Sequence, residues 1–135
     1  MMIKRLIATS IFVLASVPSS GCYQESIRTS NEAGAILNLK AIQDFEAIKR
    51  NETKKYVTLD QLYTGTDSAL SPANSNPSYR FEIRLKDGGN SFEAHATPTE
   101  YGKTGRRSFY CTEKGLIHGA DKQGGEASAD DPEIK

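Results

Sequence analysis

Two cysteines, two histidines and a run of acids near the C-terminus carry most of the chemical potential of this 135-residue chain. Cys22 closes a short apolar stretch that ends VPSSGCY (17–23), and Cys111 is the only other cysteine. A thiol at that place offers two chemistries: the covalent anchor of an exported protein, or half of a disulfide with Cys111 in an oxidising compartment. His95 and His118 lack the Cys/His spacing of a zinc site, so both read as surface histidines. Ser108 has no base partner in sequence, and there is no nucleophile elbow, P-loop, metalloprotease helix or dinucleotide fingerprint. The chain therefore reads as non-enzymatic. Lys103, Arg106 and Arg107 lie beside Phe109 and Tyr110, a basic-aromatic patch that reads as an exposed strand start rather than a nucleic-acid surface.

The segments around these residues fix their setting. Lys4 and Arg5 precede the apolar run LIATSIFVLASV (6–17), and Ser19, Ser20 and Gly21 follow it. A charged start, a short apolar centre and small residues before a cut describe an export signal over residues 1–21. The run is too short for a permanent membrane span. Cleavage would remove Lys4 and Arg5, leaving 15 basic against 17 acidic residues. So balanced a charge exerts no strong pull toward nucleic acid.

Past a polar tether (22–28), Thr29 and Glu32 have the spacing of a capping box, and residues 30–50 have helical periodicity. Ala35, Leu39 and Ile42 fall on one stripe. Leu37, Ala41, Phe45 and Ile48 fall on an adjoining one, so a broad apolar face is expected. Thr58 caps a further turn, and residues 64–78 read as a long loop. The period then changes to two. Tyr79, Phe81, Ile83 and Leu85 alternate with charged residues, residues 87–90 turn, and Phe92, Ala94 and Ala96 alternate in a second strand. A third strand carries Phe109 and Cys111 on one face, and a short fourth covers 116–118. The fold class is α+β: one long N-terminal helix packed on a three- to four-stranded antiparallel meander.

The sequence around Cys22 also resembles a bacterial lipobox, in which the cysteine is lipidated and becomes the new N-terminus. Ser19 stands where that pattern prefers Leu. Ordinary cleavage after Gly21, giving a soluble secreted ligand-binding domain with a Cys22–Cys111 disulfide, stays open as the alternative. Cys22 lies at the expected distance after the apolar run, and lipidation is the expectation. Tyr23 rather than Asp after the cysteine leans toward an outer membrane.

Two blocks, ESIRTSNEAGAILNLKAIQDFEAIKR and EYGKTGRRSFYCTEKGLIHGADKQG, resemble the helix and last strands of type IV pilin-like heads. The resemblance spans about residues 26–134. It implies a pilin-like domain over 29–118, followed by a Gly/Asp-rich loop and tail (119–135). The prepilin leader and long apolar stem of that family are missing, and an export signal with Cys22 stands in their place. The head is thus expected on a membrane through a lipid rather than in a filament, with pilus or secretion-system proteins as partners. Asp121, Asp130 and Asp131 resemble the calcium loop of the major pseudopilin of type II secretion. The resemblance implies a Ca2+ site there, and oxygen ligands on a glycine-permitted loop suit that hard cation. A solvated acidic tail is the plain alternative.

Overall fold

The computed structural model describes residues 20–135. The export signal expected over 1–21 lies almost wholly outside the described residues. Helix α1 runs over Ser20–Thr53, a short α2 over Leu59–Leu62 and a short α3 over Pro72–Ser75. Four strands follow: β1 (Tyr79–Lys86), β2 (Ser91–Pro98), β3 (Arg107–Thr112) and β4 (Ile117–Asp121). They form an antiparallel meander in the order β1-β2-β3-β4. This is the expected α+β architecture, one long helix laid across a four-stranded sheet.

Helix α1 begins about ten residues earlier than the capping signal suggests. Thr29 does not cap a helix; its hydroxyl donates to the Glu25 carbonyl one turn back, 2.9 Å away. Nothing in YQESIR breaks a helix, and Glu25 pairs with Arg28 three residues on. That ion pair holds the Glu25 carboxyl below its usual range. Glu32 does not reach back to an N-cap either. It is buried, and it accepts from the backbone amides of Arg106 and Arg107 at 3.0 and 3.1 Å and from Arg107 Nε at 2.7 Å. The β2–β3 loop and the start of β3 are thereby clamped to the helix.

The buried face of α1 is one seam: Glu32, Ala35, Leu39, Ile42 and Glu46. Their spacing keeps a straight row against a flat partner. Of the adjoining stripe, only Phe45 packs against the core. Leu37 and Ile48 are 65% and 52% exposed, which corrects the broad apolar face. A single four-stranded sheet is too narrow to cover more than one side of the helix. Against the seam stand Phe81, Ile83, Phe92, Ala94, Ala96, Phe109, Cys111 and Ile117. All fall on the sheet face that strict alternation assigns to them.

The chain between helix and sheet is folded rather than free. Thr58 N donates to Gln61 Oε1 at 3.1 Å at the start of α2, as its capping signal suggests. The loop expected over 64–78 contains a 3₁₀ segment (Gly65–Leu70) and α3. Tyr56 N donates to the Gly89 carbonyl of the β1–β2 turn, and Tyr56 packs edge-on against Phe92. Glu46 takes part in this closure. It is 0% exposed, one oxygen accepts from Val57 N at 3.0 Å, and the other has no partner. Burial pushes its carboxyl up to about 7, against the lowering effect of the Val57 amide.

Candidate functional site on the outer face of the sheet

Residues 119–135 cross the face of the sheet opposite α1 as a strap. After β4 the chain turns at 122–125, and the Ser108 hydroxyl donates to the Gly125 carbonyl at 2.6 Å. Ser108 is fully buried, so it anchors the strap and is not a free nucleophile. Glu126 pairs with Arg84, which also pairs with Glu82. Arg84 holds both carboxyls below their usual range. Ala127 is buried. The strap then returns along β4. His118 Nδ1 meets the Asp131 carbonyl at 2.8 Å, Gly119 N donates to the Pro132 carbonyl at 2.9 Å, and Ile134 N donates to the Ile117 carbonyl at 2.8 Å. An otherwise open sheet edge is covered in this way.

The three acids expected to hold Ca2+ are built into this strap, each with a separate task. Asp121 accepts from the Tyr101 hydroxyl at 2.9 Å and from Gln123 N at 3.0 Å. Asp131 accepts from Ser128 N at 2.8 Å and pairs with Lys122 at 3.1 Å. These two partners hold its carboxyl below the usual range. Asp130 is exposed, and its backbone amide donates to the Ser128 hydroxyl. Among the described residues no group of three or more His, Cys, Asp or Glu is placed to hold a metal ion. In this structure Asp121, Asp130 and Asp131 do not converge into one ligand set. Local hydrogen bonds hold the Asp121 and Asp131 carboxylates, and the Asp130 carboxylate stands in solvent.

The two cysteines are also apart. Cys22 is exposed near the start of the described part of α1, Cys111 is buried near the end of β3, and both are free. Gln43 of α1 donates to the carbonyl of Thr112, next to Cys111. Roughly 20 helical residues, about 30 Å of axis, thus separate the thiols, far beyond the reach of a disulfide. The Cys22–Cys111 bridge is corrected. Burial pushes the Cys111 thiol up to about 12, and it behaves as a small apolar side chain.

Periodicity alone could not reveal the row that crosses the outer face. His95, Tyr110 and His118 are direct cross-strand neighbours on β2, β3 and β4. Tyr110 lies between the two imidazoles, with ring centroids 5.2 Å from His95 and 6.2 Å from His118. His95 is only 6% exposed, and neither ring nitrogen has a hydrogen-bond partner. The expectation of a surface histidine fails there, because the strap and the neighbouring rings cover it. The parity of each strand places these residues on one face, but their alignment requires the register. The expected basic-aromatic patch is divided. Arg107 is committed to Glu32, Lys103 pairs with Glu100, Phe109 faces the helix and Tyr110 faces the other way.

Beside this row, where the strap leaves the sheet bare, lies a cavity of about 360 Å³. Glu93 and Tyr110 line it from the sheet, Lys86 from the end of β1, Lys114 from the β3–β4 turn, and Leu116 and Ala129 from β4's approach and the strap. Glu93 is poorly satisfied. Its neighbours are the Tyr110 hydroxyl at 3.4 Å, Lys86 Nζ at 3.5 Å and His95 Nε2 at 3.7 Å. Each is longer than an ordinary hydrogen bond to a carboxylate. Burial, then the Glu93 charge, push the Tyr110 phenol upward. The chain matches no family model, no curated protein and no solved structure.

Proposed function

We propose that this chain is a non-enzymatic, pilin-like lipoprotein of the bacterial cell envelope, tethered through a lipid on Cys22 and presenting its α+β head to pilus or secretion components. The observation that carries the reading is the position of Cys22. It is exposed and unbonded near the start of the described part of α1, directly after an apolar run and small residues in the sequence. No described helix is long and apolar enough to cross a membrane. The helix-on-meander architecture agrees with the resemblance to pilin heads. The thiol of Cys111, buried and distant, leaves Cys22 without a bonding partner in the chain. Ca2+ does not enter the proposal: the Asp121 and Asp131 carboxylates serve other partners, and no described group of acids is placed to hold it.

Detergent phase partitioning tests the anchor. The wild-type chain is expected in the detergent phase and the Cys22→Ala chain in the aqueous phase. Equal partitioning of the two would reject the tether.

A further inference from the structure

We infer that the cavity on the outer face is a binding site for a small zwitterion, a free amino acid with an apolar side chain. The inference is independent of the anchor at Cys22. It starts from unfilled hydrogen-bonding capacity. The Glu93 side chain is 28% exposed and held only by the three long contacts already described. The Tyr110 hydroxyl has the 3.4 Å contact to Glu93 as its sole hydrogen bond. His118 faces the same space, and its Nδ1 meets a carbonyl, which can only accept. Nδ1 therefore carries the proton, and in neutral imidazole Nε2 is left as an acceptor. The inner wall thus offers a carboxylate, a hydroxyl and an imidazole lone pair to a ligand that donates hydrogen bonds.

Two cations stand at the rim, and Lys86 is itself the 3.5 Å partner of Glu93. Lys86, with a side chain 53% exposed, and Lys114, which has no ion-pair partner among the described residues, flank the opening. A bare cation would meet the two lysines on entry, and a bare anion would meet Glu93 inside. A molecule carrying an ammonium and a carboxylate satisfies both: its ammonium faces Glu93 and its carboxylate the lysines. Glu113, the other acid of the lining, is exposed and accepts the Phe92 amide at 3.2 Å through one oxygen. Leu116, 50% exposed, and Ala129 supply an apolar wall for a side chain. The volume, 360 Å³, stands at the lower end of the ~300–1,000 Å³ of ligand pockets, which suits one amino acid.

The test is a two-dimensional amide NMR titration of the full chain with three probes: L-leucine, L-leucinamide, which lacks the carboxylate, and 4-methylpentanoate, which lacks the ammonium. L-leucine is expected to shift the amides of Ser91, Glu93, Thr112 and Lys114, and each one-ended probe to bind about tenfold more weakly or worse. Glu93→Gln, nearly isosteric, should weaken L-leucine by a similar factor while amides remote from the cavity keep their positions. Lys114→Ala should weaken L-leucine and 4-methylpentanoate but not L-leucinamide. No localised shift with L-leucine, equal binding of either one-ended probe, or an unchanged Glu93→Gln titration would each overturn the inference.

Discussion

The two faces of this sheet are held by different forces. The inner face meets α1 through apolar side chains: Leu39 and Ile42 from the helix, Phe92 and Phe109 from the sheet, all essentially without exposure. The outer face meets the strap through directed contacts: the Ser108 hydroxyl on the Gly125 carbonyl, Arg84 on Glu126, His118 on the Asp131 carbonyl. Hydrophobic burial scales with area and tolerates small shifts in register. The outer contacts depend on single donors meeting single acceptors. The inner face therefore secures the fold, whereas the outer face, partly covered and partly bare, holds His95 without a hydrogen bond and Glu93 with only long contacts.

Substitutions can weigh one face against the other. Phe109→Ala empties the centre of the inner core and should cost about 3–5 kcal/mol in denaturant unfolding. A loss below that of an outer-face polar substitution would reverse the ranking. At the helix end of the same core, Glu46 should give stability an unusual pH dependence. Its folded-state pKa, about 7, lies above the usual carboxyl value, so between roughly pH 4.5 and 7 the folded state keeps a proton that the unfolded chain has released. Stability should fall as pH rises through that window and remain low above it. Glu46→Gln keeps an acceptor for Val57 N and should stabilise the protein by about 1–3 kcal/mol at pH 8, with little effect at pH 4. Equal effects at the two pH values would show that the carboxyl ionises freely. Ser108→Ala removes one strap anchor and should cost about 1 kcal/mol. Hydrogen exchange should quicken at Gly119 and Ile134, whose amides the strap secures, and not in α1. Faster exchange in α1 as well would mean that the strap and the inner core open as one unit.

The sequence was informative where one residue type repeats at a fixed period. Tyr79, Phe81 and Ile83 announce β1, and Ala35, Leu39 and Ile42 announce the seam of α1. It misled where a local signal competed with a distant partner. Thr29 and Glu32 have capping-box spacing, yet Glu32 is drawn to amides some seventy positions away, which no local pattern encodes. Leu37 and Ile48 fit an apolar stripe, but the width of the sheet, a tertiary property, leaves them in solvent. The candidate site was least legible. His95, Tyr110 and His118 lie on three strands, and only strand register and the return of the tail bring them together. Asp121 and Asp131 had a readable loop composition, but their partners, Tyr101 and Lys122, decided their use.

The most direct test of the functional proposal is the intact mass of the protein extracted from membranes, wild type beside Cys22→Ala. The account predicts a wild-type chain that begins at Cys22 and carries added acyl mass, and a variant without it. An unmodified wild-type chain in the soluble fraction would contradict the anchor and with it the proposed place of this protein on the cell envelope.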